Sequence, residues 1–493
     1  MFMSAIVLWC FLAGDAIAVC PPAFAPFAGF PAGAGPAAVA AGDVNADGAA
    51  DLVVANAGTG STAVSVLLGN GDGTFQSSTD FAAGNRPNGV ALGDLNGDGF
   101  LDVVASNSGL GGNTVSTLLG DGNGAFASPA THPTAAGPMC PAIADLNGDG
   151  KSDVVVAANG GNRVSVLLGI GDGMLMPAVN HNVGTFPQCV AIGDLSGDGV
   201  PDLAASNSGT GDVSVLLGNG DGTFAAAVNY AAGTVTRAVL TLDANNDGAL
   251  DLAAVNDTAA GTIQLLLGNG DGTFQPAIPF NTGHAPVFVV AGDVNGDGQE
   301  DLMTANFSPG TVSVLRATCA AFSPPVDFNV SDRPKWIAVA DLTGDGRNDL
   351  AVIDEDGVSV LINTSPSIGI TQQPADQSLT VGQDAIVAVL TNGAGPLTYQ
   401  WRKSGVNLRD GGRVTGARTP TLSISAVIES DTAAYDVVIT GGCNGANSGV
   451  SRPAVLCVSP SPPCRGDFNE DSQFNAADIQ AIVDALLAGE SCP

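Results

Sequence analysis

Positive charge is scarce in this sequence: Lys and Arg number 15 against 48 Asp and Glu, a formal net charge of −33. A nucleic acid is therefore excluded as a partner, because phosphate binding needs a basic surface. Histidine is almost absent, and His132, His181 and His284 are scattered. With no G-x-S-x-G either, neither a hydrolase triad nor a metal-hydrolase set can be assembled, and an enzyme is not expected. No CxxC pair offers zinc-ligand spacing. Beyond the N-terminal segment no apolar run approaches the roughly 18 residues that a membrane span needs.

What is abundant is glycine, 67 residues of 493, beside 45% apolar residues. That combination suits short strands joined by tight turns, and the length calls for several domains or a repeat array. Residues 1–18 run through an apolar stretch, Ala5 to Ala13, to Ala16-Ile17-Ala18, the small-x-small form of a signal-peptidase site. We read them as an export signal, the alternative being a buried first strand. Of nine cysteines Cys10 lies inside the signal, so cleavage leaves eight, as in a disulfide-bonded extracellular protein. The expected location is secreted, extracellular or at the cell surface.

The strongest pattern is D-x-[N/S/T]-x-D-G-x-x-D, which starts at Asp43, Asp94, Asp145, Asp194, Asp243, Asp293 and Asp341. Each copy has the same surroundings: a strand such as Val190-Ala191-Ile192-Gly193 before it, Leu203-Ala204-Ala205-Ser206 after it, then Val213 to Leu217 and a Gly-Asn-Gly-Asp-Gly turn. A fourth strand follows from Phe224. Four short strands in a unit of about 50 residues predict a propeller blade. A solenoid would need distinct capping repeats at both ends. The seventh copy stops after its third strand, Val358 to Ile362, while Phe24 to Phe30 precede the first loop as an orphan fourth strand. Donating that strand to the last blade closes the ring and removes a free edge. Gly69-Asn70-Gly71-Asp72-Gly73 looks like a phosphate loop, but it leads into a strand and recurs, which makes it a hairpin turn.

These repeats resemble the FG-GAP or VCBS family, the repeat of the integrin α-chain propeller, over roughly residues 20 to 365. The resemblance implies a seven-bladed β-propeller at 19–365, extracellular adhesion or ligand binding, and calcium loops on one face. It does not imply an integrin partner, since no other integrin domain is visible.

Within each loop, side chains at positions 1, 3, 5 and 9 and a carbonyl at 7 can surround one hard cation, with Gly at 6 allowing the turn. Oxygen-only ligands favour Ca²⁺. The sets are Asp43, Asn45, Asp47, Asp51; Asp94, Asn96, Asp98, Asp102; Asp145, Asn147, Asp149, Asp153; Asp194, Ser196, Asp198, Asp202; Asp243, Asn245, Asp247, Asp251; Asp293, Asn295, Asp297, Asp301; and Asp341, Thr343, Asp345, Asp349. Ser196 and Thr343 ligate less strongly than Asn, so the fourth and seventh sites should be weakest. The alternative is solvated Asp-Gly turns without metal, in which three acids within nine residues would repel one another. Up to seven Ca²⁺ are expected here, in a structural role.

From 368 to 459 alternating strands replace the repeat. Trp401, within Leu397 to Trp401, and Tyr435, within Asp431 to Tyr435, resemble the strand-C Trp and tyrosine corner of an immunoglobulin-like sandwich, without its intersheet cysteines. At 464–493, Asp467, Asn469, Asp471, Asn475 and Asp478 have EF-hand-like spacing, and Ile479, Ile482, Val483 and Leu486 share a helical face. This resembles a single-loop dockerin holding one Ca²⁺ as a small α module. It would anchor the chain to a cohesin-like or surface partner, or else stand as a self-contained tail.

The leading expectation is a secreted calcium-binding adhesion or ligand-binding protein with an extracellular protein or glycan ligand. A polysaccharide lyase or hydrolase and a structural surface-layer component are the alternatives. Connectors entering the blades carry Arg86, Arg237, His284, Arg333, Lys335 and Trp336, a mildly basic and partly aromatic face for an anionic or sugar ligand. Cysteine placement predicts the pairs 140–189, 20–319, 443–457 and 464–492.

Overall fold

The computed structural model describes residues 22–109, 112–296, 298–318, 321–365, 369–392, 397–441 and 447–459. Two compact units meet in sequence between Ser365 and Pro366.

The first unit holds seven four-stranded antiparallel sheets. In the first sheet the strands are Pro36–Gly42, Asp51–Asn56, Ala63–Leu67 and Thr79–Ala82, paired in chain order. Valine-rich runs bounded by Asp-Gly turns favour this, because β-branched side chains fit a pleated, packed surface. Second strands such as Asp102–Asn107 are buried at every residue, since neighbouring sheets cover both faces. Outer strands such as Val179–Asn182 are mostly exposed and polar. The repeated sheets are consistent with propeller blades.

Inner first strands pack side by side in order, and the strand Trp336–Ala340 packs against both Pro286–Gly292 and Pro36–Gly42, so the array closes on itself. The last blade is assembled from both ends of the unit. Ala28–Phe30 pairs antiparallel with Val358–Leu361, with Phe30 opposite Val358 and Ala28 opposite Val360. The seam is apolar: Val39, Leu52, Val54 and Leu67 of the first blade form one core with Leu342, Ile353, Val358 and Val360 of the last.

Six inner strands carry a register shift at their start, between Pro36 and Ala38, Pro87 and Gly89, Pro138 and Pro141, Pro187 and Cys189, Thr236 and Val239, and Pro286 and Phe288. A bulge of this kind re-aims the side chain it carries. Cys140 and Cys189, at equivalent places on adjacent inner strands, form a disulfide with a Cα separation of 4.8 Å. That is well inside the roughly 7 Å bridging limit.

In the second unit Gln377–Thr380, Ala454–Ser459, Ala433–Gly441, Thr398–Lys403 and Val406–Asn407 form one sheet, while Ala385–Ala388, Thr421–Ile424 and Val414–Thr415 form another. Trp401 and Tyr435 are the largest fully buried side chains. The Trp401 indole N–H donates to the Thr419 carbonyl at 2.9 Å, and the Tyr435 hydroxyl donates to the Asp431 carbonyl at 2.9 Å. Both large rings thus satisfy their polar atoms within the core.

Three expectations change or fall outside this description. Cys457 is exposed and unpaired, against the expected pairing with Cys443, which itself lies outside the described residues. The small α module expected at 464–493 finds no support: the described residues contain no α-helix, only two short 3₁₀ turns, and the module lies outside them. The export signal at 1–18, and Cys20, Cys319, Cys464 and Cys492, also lie outside the described residues.

Candidate cation loops and the axial face

All seven loops share one internal geometry. The carboxylate at position 1 accepts the N–H of the glycine at position 6, from Gly48 to Asp43 at 2.8 Å through Gly346 to Asp341 at 2.7 Å. That glycine is left-handed throughout, with φ between 80° and 87°. In the first loop the Asp47 N–H points at both Asp43 Oδ1 (3.2 Å) and Asn45 Oδ1 (3.0 Å), which brings two ligand-type oxygens to one place. Asp47 Oδ1 accepts the N–H of Ala49, the residue whose carbonyl is at position 7. Loops three and five repeat the convergence at Asp149 and Asp247. Asp297 lies outside the described residues.

The aspartate at position 9 has a further role that the spacing did not reveal. Asp51, Asp102, Asp153, Asp202, Asp251, Asp301 and Asp349 are fully buried. One oxygen of each accepts the N–H of loop position 2 at 2.8–3.2 Å. The other accepts an N–H just past the third strand, such as Gly69 or Asn363, at 2.7–2.8 Å. Position 9 is therefore a clamp between the loop and the third strand. Burial pushes the Asp51, Asp102, Asp153, Asp202 and Asp349 carboxyls up against those donors, and Asp251 up to about 6. At Asp94 and Asp145 burial also pulls upward, but four backbone N–H donors outweigh it and hold both low.

A cation would fit this donor set. Among the described residues no three His, Cys, Asp or Glu side chains form a metal cluster by themselves, so any ion must also draw on the position-3 side chain and the position-7 carbonyl. In the fourth loop Ser196, at position 3, turns to Asp202, whose carboxylate accepts its N–H at 3.0 Å and stands within reach of its buried hydroxyl. Thr343 in the seventh loop hydrogen-bonds Asp341 and Asp349 at 3.3 Å.

Of the six connector residues, the structure brings three together. Arg237, Lys335 and Trp336 line one cavity of about 380 Å³, beside the Cys140–Cys189 bridge. Trp336 stacks on Phe288 with ring centroids 3.8 Å apart, and its ring packs against the cores of the first, second, sixth and seventh blades. It is a plug that also lines the cavity. Arg86, His284 and Arg333 do not line the cavity. Arg86 donates to the Ala57 carbonyl, and Arg333 pairs with Glu355 at 2.5 Å and lies over Phe307.

The FG-GAP-like repeat family matches residues 43–105, 94–156, 145–205, 194–254 and 243–304, which together span more than half of the chain. The chain belongs to the FG-GAP-like repeat family. Such repeats suggest an extracellular protein of the ligand-binding or adhesion type. Comparison with curated proteins finds no match. Among solved structures the chain is similar to the titin M3 domain (25% identity, 19% of this chain and 99% of that one, TM-score 0.17). It is also similar to Duf (Kirre) D1 (21% identity, 19% and 99%, TM-score 0.17). At these scores neither likeness carries an argument.

Two features of the FG-GAP-like blades escaped the loop-centred reading. In six blades a ring of the outer strand meets, edge to face, a ring that precedes the outer strand of the next blade: Phe30 with Phe75, Phe81 with Phe126, His181 with Phe224, Tyr230 with Phe274, Phe280 with Phe322, and Phe328 with Phe24. His132 occupies the same place in the second blade. Second, Asn56, Asn107, Asn207 and Asn306 each donate to a third-strand serine, Ser65, Ser116, Ser214 and Ser313, at 2.8–2.9 Å. Both signals were present as residues recurring at the repeat period.

Proposed function

We propose that this is a secreted calcium-binding adhesion or ligand-binding protein, built as a seven-bladed propeller with one Ca²⁺ in each FG-GAP-like loop. The observation that carries the reading is the loop geometry, in which the position-1 carboxylate caps the position-6 glycine in all seven loops and oxygens from positions 1 and 3 converge on one backbone N–H in loops one, three and five. Calcium would neutralise acids that are otherwise held chiefly by backbone and amide donors, and its role would be structural. The second unit is read as an immunoglobulin-like spacer, on the strength of the buried Trp401 and the Tyr435 hydroxyl bond to Asp431. A dockerin-like Ca²⁺ module at 464–493 would tether the assembly to a surface or partner. The cavity-bearing face is the binding face, and binding rather than catalysis is the activity.

Because calcium binds the native state and not the unfolded chain, it should raise the melting temperature, and a chelator should lower it. Melting that ignores the chelator would remove calcium from the proposal. Release of oligosaccharides from acidic polysaccharides by the full chain would replace binding with catalysis.

A further inference from the structure

Five inner strands begin with Pro and one with Thr236, the seventh follows Pro334 by two residues, and all lead to a loop aspartate. The residue after that Pro or Thr differs in every blade. Asn88, Met139, Gln188, Arg237, Val287 and Lys335 occupy that position in blades two to seven, and all six line the axial cavity. Five of them sit within the register shifts that re-aim these side chains. The variation therefore falls where these side chains meet on the axis.

The residues at this mouth are two cations, two amides and apolar walls, on a chain of net charge −33. The one carboxylate among them, Asp257, is tied to Arg237 Nε at 3.0 Å, an interaction that uses one of the five N–H donors of the guanidinium. Lys335 gives one of its three N–H groups to the Pro36 carbonyl at 3.2 Å. Met139, Val287 and Phe307 supply an apolar wall, and stacked Trp336 and Phe288 line the cavity with them. At about 380 Å³ the volume lies within the range of small-molecule sites. Since Trp336 plugs the axis, what enters is a terminal group and not a chain passing through.

We propose that this axial mouth binds a small organic carboxylate with an apolar body, the carboxylate held by Arg237 and Lys335 and the body lying against Met139, Val287 and Phe307. The proposal rests on the ligand-binding reading of the same face and names its ligand chemistry. A free carboxylic acid and the C-terminus of a polypeptide ending in an apolar residue present the same group.

Calorimetry on the full chain in calcium, with 4-phenylbutyrate and its neutral amide, tests the chemistry. N-acetyl-Gly-Phe with a free or amidated C-terminus tests the peptide source. The acids should bind at least roughly tenfold more tightly than their amides, as loss of a charge-assisted hydrogen bond predicts. Added salt should weaken the acids only. Lys335→Met and Arg237→Gln should each cost a similar factor with melting unchanged. Preference for phenylbutyrate over the peptide points to a free acid, and the reverse to a carboxyl terminus. Equal binding of acid and amide, or none at millimolar concentration, overturns the proposal, and this comparison needs no variant to fold. Adhesion of the full chain to a surface that persists without carboxylate binding would remove the pocket and leave the broader reading standing.

Discussion

At the scale of single residues, the repeat makes each blade a control for the others. Position 4 of the loop is left-handed in every copy that is described, with φ 58° at Ala46, 56° at Asn246 and glycine at Gly97, Gly148, Gly197, Gly296 and Gly344. Alanine pays for that conformation while glycine does not, so Ala46→Gly should raise stability by about 1 kcal/mol, measured by denaturant melts. His181 replaces phenylalanine in the ring ladder, and its Nε2 is buried without a partner. Burial lowers the pKa of both His132 and His181 from 6.5. The unfolded chain therefore takes up protons first as pH falls, and the stability present above about pH 6.5 is lost below it. His181→Phe should flatten the dependence of melting temperature on pH between about 7 and 5. An unchanged slope would mean that other groups dominate.

At the scale of the element, the loop separates two jobs that one sequence motif merges. Position 9 clamps the loop to the third strand with both oxygens, whereas position 5 faces the loop interior. Asp102→Asn leaves one oxygen and one amide where two N–H groups need acceptors, so it should cost about 1–3 kcal/mol with or without calcium. Asp98→Asn should matter chiefly when calcium is present. Melts of both variants in calcium and in chelator check this, and equal calcium dependence would put position 9 among the ligands alone. Repeat, turn and strand were legible in the sequence because they are local: short apolar runs, Asp-Gly turns and β-branched residues are set by near neighbours. The clamp was not legible, because Asp51 and Gly69 are 18 positions apart and each reads as an ordinary turn residue.

At the scale of the molecule, ring closure sets the remaining properties. Trp336 packs into cores shared by blades across the axis, so Trp336→Ala should cost about 3–5 kcal/mol and lower the melting temperature of the whole first unit. A loss confined to ligand binding would show that the ring presents its face to solvent. Acidic repulsion summed over the loops is likewise a property of the whole, and its neutralisation is what calcium addition would report.

The sequence alone determined the number of repeats, the four strands in each and the orphan strand that completes the seventh blade, since all follow from a period that repeats in register. It equally showed where cations are scarce and acids crowd. Only the tertiary structure decided that Arg237, Lys335 and Trp336 share one cavity while Arg86, His284 and Arg333 lie elsewhere, and that Cys457 stays unpaired. These outcomes depend on the direction in which a bulged strand points a side chain and on which strands meet across the axis. Neither is encoded within a repeat, because each arises where several repeats converge.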